Sequence, residues 1–323
     1  MARVADETTT CAPIDPDVAA VLAALPVDIG ALLGGLTDES LPQARAAMNQ
    51  MPMPELSDAV ERTDHEIPGT DGVVVRVHRP VGATGTLPCL YWMHGGGLIL
   101  GSYTGDDARF DRWSPLFGLV GVSVEYRLAP EAPYPGPLED CYAGLKWVFE
   151  HAGELGVDPA RIGIGGPSAG GNLAAGLGLL ARDRGEVPVT YQLLIYPMLD
   201  DRQITVSSQW PDPIWPPAAN TFGWTAYLGD RKGGADVPAY AAPARATDLA
   251  GLPPTLIAVG AIDGFSDEDI DYAVRLRQAG VPVDLHVYAG APHGFDGLAA
   301  GAPVAQRATR DIEEWLGVQL GRA

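Results

Sequence analysis

The chain has 323 residues, 46% of them apolar, and a formal charge of −20 from 21 basic and 41 acidic side chains. That apolar content is ample for a buried core, while so acidic a surface repels phosphate backbones and anionic headgroups, which argues against nucleic-acid partners and stable membrane association. Met1–Thr8 lack the apolar centre of a signal peptide, no run approaches the roughly 18 apolar residues of a membrane span, and Cys11, Cys89 and Cys141 show neither metal-ligand spacing nor an obvious pairing, so the chain reads as cytoplasmic and soluble, without a metal site.

In chain order, Asp17 to about Met53 is rich in Ala and Leu and predicts two or three short helices, one starting near Asp38-Glu39-Ser40. Residues 1–72 are expected to form a helical cap or lid, and residues 73–323 the catalytic body. Val73–His78 reads as the first strand of that body. Leu87–Met93 is an apolar run ending at His94-Gly95-Gly96-Gly97. Cys89 and Cys141 read as small buried hydrophobes, and His65, His78 and His151 as surface residues. Strands alternating with helical stretches argue for an α/β fold with a mostly parallel central sheet and helices on both faces.

Arg161–Gly165 leads into Gly166-Pro167-Ser168-Ala169-Gly170 and then an Ala/Leu-rich helical stretch. Strand, tight turn and helix give Gly-x-Ser-x-Gly its mechanism: the turn strains the serine backbone and lifts its hydroxyl clear of the sheet. A Cβ on either flanking glycine would collide with a neighbouring element. The helix beginning at Ala169 turns free N–H groups towards the serine. Acyl transfer also needs N–H donors aimed at an oxyanion, each worth about 10²–10³ in rate. The candidates are the N–H groups of Gly96, Gly97 and Ala169, with Gly95 in the same supporting loop and His94 fixing it through a ring hydrogen bond.

Further along, Gln192–Tyr196 reads as a strand. Residues 201–239 break the pattern as an insertion: Trp210-Pro211-Asp212-Pro213-Ile214-Trp215-Pro216-Pro217 cannot be a helix interior, and its aromatics suit a pocket wall or a cap packed on the N-terminal helices. Thr255–Ile262 is an apolar run followed by Asp263, the candidate acid. Asp267, Glu268 and Asp269 compete with it, but they fit the first turn of a helix capped by Ser266; Asp200 is a weaker rival. Val283–Tyr288 alternates as a strand and leads to His293, the candidate base. His286, within that alternation, reads as a strand-face residue. The final helix, about Val304 to Leu320, places Ile312, Trp315, Leu316 and Leu320 at helical spacing. The order Ser168, Asp263, His293 is the Ser…Asp…His order.

With these segments, and with Glu125-Tyr126-Arg127-Leu128-Ala129-Pro130-Glu131, Tyr240–Arg245 and Gly251-Leu252-Pro253-Pro254, the chain resembles the hormone-sensitive-lipase-like branch (bacterial family IV) of the α/β-hydrolases from about Val73 to Leu316. The resemblance implies a serine carboxylesterase using Ser168, Asp263 and His293, with the oxyanion on Gly96, Gly97 and Ala169. Pro167 replaces the acidic residue usual before the nucleophile, and Gly264-Phe265 replaces the usual Pro-Leu after the acid. The expected substrates are short- to medium-chain esters of small molecules, cleaved through an acyl-enzyme without metal or cofactor. Members often dimerise through sheet-edge and terminal-helix surfaces, so a homodimer is compatible. A lactone, carbamate or amide hydrolase, or an acyltransferase, would use the same machinery. The contrasting class is a non-catalytic small-molecule receptor on this fold, against which the presence of all three candidate residues argues.

Overall fold

Eight strands of the computed structural model pair into one sheet: β1 (Val60–Glu66), β2 (Val74–Pro80), β3 (Leu87–Met93), β4 (Val120–Glu125), β5 (Val157–Pro167), β6 (Gln192–Ile195), β7 (Thr255–Gly260) and β8 (Val283–Tyr288). Residues 11–49 and 54–321 are described; Met1–Thr8 and the end of the first helical stretch near Met53 lie outside them. The spatial order is β1-β2-β4-β3-β5-β6-β7-β8. β1, β2 and β4 are joined antiparallel, and the sheet from β4 to β8 is parallel. Helices cover both faces, so the central strands are apolar throughout rather than alternating. In β3, Leu90 and Trp92 enter one core while Cys89, Tyr91 and Met93 enter the other, as the two-residue period of a strand requires.

Two expectations need correction. β1 lies inside the segment read as helical cap. Its sequence, VERTDHE, is mostly charged and only Val60 is buried, which an antiparallel edge strand tolerates and a central parallel strand would not. His78 is not a surface residue: it is fully buried on β2, stacked on Phe110 at 4.8 Å and hydrogen-bonded to Ser123 Oγ at 3.3 Å. Burial, aided by the charges of Arg62 and Arg76, depresses its pKa to about 3. His65 and His151 are half-buried.

Three short helices precede β1: α1 (Pro16–Ala24), α2 (Ile29–Gly34) and α3 (Leu41–Asn49). Asp15 and Asp28 cap the first two through their carboxylates. α3 is tied to the body by Arg45, which donates to Ile99 O (2.8 Å), Ala129 O (2.7 Å) and both oxygens of Glu131 (2.7 and 2.9 Å). Between β6 and β7 the chain is irregular through Trp210–Pro216 and then forms the helix Pro217–Leu228. α2 meets this insertion closely enough that a Cβ at Gly30 would stand 2.7 Å from Pro213 O. Among the described residues no helix is long and apolar enough to cross a membrane.

Candidate active site

β5 ends at Pro167 and a helix begins at Ala169, which leaves Ser168 alone in the turn with φ 56° and ψ −120°. An L-residue adopts that conformation only when its surroundings impose it. Here Ser168 N donates to Ile195 O (2.8 Å), and Ser168 O accepts from Asn172 N (3.0 Å) and Met198 N (3.1 Å). The flanking glycines are sterically required. A Cβ at Gly166 would stand 2.6 Å from the Gly170 carbonyl carbon; one at Gly170 would overlap Met93 O and stand 2.7 Å from His94 O. The neighbours in both cases are backbone and cannot step aside.

β7 and β8 end on the same edge of the sheet, and the loops after them deliver Asp263 and His293. His293 Nε2 is 2.9 Å from Ser168 Oγ, and His293 Nδ1 is 2.8 Å from Asp263 Oδ2. All three residues are buried. A carboxylate only accepts, so Nδ1 carries the proton and Nε2 is left to accept from the serine hydroxyl. The second Asp263 oxygen, Oδ1, accepts from Phe265 N at 2.9 Å. The imidazole sits edge-on between Tyr196 (4.8 Å, 66°) and Phe265 (5.0 Å, 88°). Burial alone would lower the His293 pKa; the charge and hydrogen bond of Asp263, then the charges of Asp212 and Asp296, outweigh it and hold the imidazole above its ordinary value.

Of the competing carboxylates, Asp200, Asp267 and Glu268 are engaged elsewhere. Asp200 forms a two-pronged pair with Arg202 at 2.7 and 2.8 Å. Glu268 accepts from Leu199 N and Asp200 N. Asp269 is fully buried, and burial raises its pKa well above the carboxylate range, with the charges of Glu268 and Asp263 adding to the rise. Ser266 does not cap the helix Ser266–Gln278: it is that helix's first residue. The capping hydroxyl comes from Ser207, whose Oγ accepts from Asp267 N (3.0 Å) while Ser207 N donates to Asp267 Oδ2 (2.8 Å). His286 lies on β8, as its alternation suggests.

His94–Gly97 follows β3 and packs on the serine turn, where a Cβ at Gly95 would be 3.2 Å from Pro167 O. His94 Nδ1 lies 2.8 Å from Gly95 O, its ring stacks on Tyr126 at 4.1 Å, and the Tyr126 hydroxyl donates to His94 O at 2.7 Å. Gly96 and Gly97 have φ of 117° and 61°. Gly96 O accepts from Ile99 N and Leu100 N, whereas among the described residues no backbone or side-chain acceptor engages the N–H groups of Gly96, Gly97 or Ala169 outside the helix ladder. The buried indole of Trp215 lies directly over Gly97.

Several residues around the site are not singled out by sequence reasoning. Asp212 is buried and accepts from His293 N at 2.9 Å; the one signal was an acid standing among apolar and proline residues. Asp296 accepts from the Tyr196 hydroxyl at 2.6 Å and lies 3.5 Å from Arg109. Among the described residues no cluster of His, Cys, Asp and Glu is arranged to hold a metal ion.

Residues 90–297, which include every residue of this arrangement, match the family model described as alpha/beta hydrolase fold. The chain is 34% identical to esterase LipI of Mycobacterium tuberculosis, over 92% of each chain. It is 36% identical to carboxylesterase NlhH of the same species, over 94% of this chain and 95% of that one. Among solved structures, a bacterial heroin esterase superposes with a TM-score of 0.86 at 42% identity, covering 95% of this chain and 98% of that one.

Proposed function

The chain belongs to the alpha/beta hydrolase fold family, and from that premise we propose that it is a serine carboxylesterase acting on short- to medium-chain esters of small molecules. The observation that carries the reading is the unbroken hydrogen-bonded chain from Ser168 Oγ through His293 to Asp263. His293 Nε2 takes the hydroxyl proton as Oγ attacks the ester carbonyl carbon. The carbonyl oxygen becomes an oxyanion and is received by the N–H groups of Gly96, Gly97 and Ala169. Asp263 stabilises the imidazolium without taking its proton. The tetrahedral adduct collapses, the C–O bond to the alcohol breaks, and His293 gives its proton to that oxygen. Water then attacks the acyl-serine: His293 takes one of its protons and returns it to Ser168 as the carboxylic acid leaves.

α1, α2 and α3 together with the insertion supply the cap in this reading, with Trp215 as a wall against the oxyanion glycines. The chemistry needs no metal or cofactor, and none of its steps draws on one.

The test is hydrolysis of p-nitrophenyl esters from acetate to dodecanoate by wild type and Ser168→Ala. Turnover that declines with acyl length and vanishes in the variant supports the reading. Undiminished turnover in Ser168→Ala sinks it.

A further inference from the structure

The insertion between β6 and β7 reaches the histidine loop through one buried side chain. Asp212 Oδ1 accepts from Ile214 N (2.8 Å) and Trp215 N (2.9 Å), closing a tight turn within the insertion. Asp212 Oδ2 accepts from His293 N (2.9 Å), a residue 81 positions away in sequence. The two oxygens therefore serve two different segments. One segment carries the candidate base; the other carries the indole that covers Gly97.

Burying a carboxylate is costly unless its acceptors are filled. An asparagine would close the same turn, since one carbonyl oxygen can accept both N–H groups. Its second atom, however, is an NH₂ donor and would face the donor N–H of His293. Packing alone does not call for a charge at this place, whereas bridging three N–H groups with acceptors on both sides does.

We propose that Asp212 is a positioning residue for ester cleavage, one carboxylate that holds the His293 loop and the Trp215 wall in common register. The inference rests on the reading of Ser168 and His293 given above. Asp212 acts through the backbone of His293 and not through the reacting atoms. Burial, with the charge of Asp263, raises the Asp212 pKa to about 6, so above that pH its charge joins those of Asp263 and Asp296 around the imidazole, with the Tyr196 hydroxyl and Arg109 engaged by Asp296.

The experiment compares wild type, Asp212→Asn, Asp212→Ala and Ser168→Ala on p-nitrophenyl acetate and hexanoate from pH 5 to 9, with thermal melts of each. Asp212→Asn is expected to lower kcat/KM by about 10-fold to 100-fold, the scale of a small misplacement of a reacting group, chiefly through kcat. The acid limb of its kcat/KM profile should move to lower pH, because a neutral amide no longer favours the imidazolium. Asp212→Ala should in addition change the acetate-to-hexanoate ratio, because the turn that seats Trp215 is lost. If Asp212→Ala does not fold, Asp212→Asn, which keeps the turn, decides. A wild-type rate, or a reduced rate with an unmoved acid limb, in Asp212→Asn overturns the proposal. Full activity in Ser168→Ala would instead overturn the underlying reading, so the two failures are distinguishable.

Discussion

Gly97→Ala probes the contact between the insertion and the glycine loop proposed to receive the oxyanion. Gly97 has φ 61°, where an L-side chain costs about 1–2 kcal/mol. The new methyl would overlap Cη2 and Cζ2 of Trp215 and stand 3.3 Å from Cζ3. Carbon atoms rest about 3.5–4.0 Å apart, so the indole or the loop must retreat by about 1 Å or more. Overpacking of this kind costs about 1–3 kcal/mol, and Trp215 is only 7% exposed, with little room to yield. If the loop moves, the Gly97 N–H leaves its place, and a lost oxyanion donor costs about 10²–10³ in kcat. Gly97→Ala should therefore lower kcat by about 10²–10³ in the wild-type background. In a Trp215→Ala background the steric part is gone and only the dihedral cost remains, so the same substitution should lower kcat about 10-fold, a double-mutant cycle with clear coupling. The assay is single-turnover and steady-state hydrolysis of p-nitrophenyl acetate by the four proteins. Equal effects of Gly97→Ala in both backgrounds would refute the argument that Trp215 holds the loop.

Asp263→Asn keeps the shape of the acid but offers no anion to Nδ1–H, and kcat should fall by about 10³–10⁴ with KM little changed, as steady-state kinetics on the same ester will show. For wild type, the acid limb of kcat/KM should be centred above about 6.5, the ordinary histidine value, since the net effect of the surrounding carboxylates is to raise the His293 pKa. His78 gives a stability prediction. Its folded-state pKa is depressed to about 3, so below the ordinary value near about 6.5 the unfolded chain takes up the proton first. The stability held above that pH is lost as the pH falls towards 3. His78→Phe should flatten the decline of Tm over this window relative to wild type, and parallel melting curves for the two proteins would count against the argument.

The serine turn and the glycine loop are legible in the sequence because their constraints are local: Gly166 and Gly170 each face backbone atoms that leave no space for a Cβ. Asp263 and His293 are legible for a different reason. Each follows an apolar or alternating run, and a parallel sheet brings the ends of such strands to one edge, so their meeting with Ser168 follows from topology. Charge misleads at β1, where Glu61, Arg62, Asp64 and Glu66 conceal an edge strand. It misleads again at Ser266, whose expected capping role is taken by Ser207, about 60 residues earlier and brought in by tertiary packing. His78 reads as exposed because local sequence does not tell which side of β2 is covered. Asp212 is hidden most fully, since its meaning lies in an N–H group that only the folded chain puts beside it.

Arg45 links α3 to Ile99 O, Ala129 O and Glu131. The glycine loop proposed to receive the oxyanion is thus braced from outside the sheet, a few residues beyond Gly97, by a guanidinium whose planar fork matches carbonyls and a carboxylate together. For anyone exchanging the proposed cap between related enzymes to alter selectivity, this sets the seam. A graft that omits residue 45 strips two carbonyls and a carboxylate of their donor at once, so the transplanted unit should extend through α3 and carry an arginine there, and a lysine, with its single point of charge, is a poor substitute.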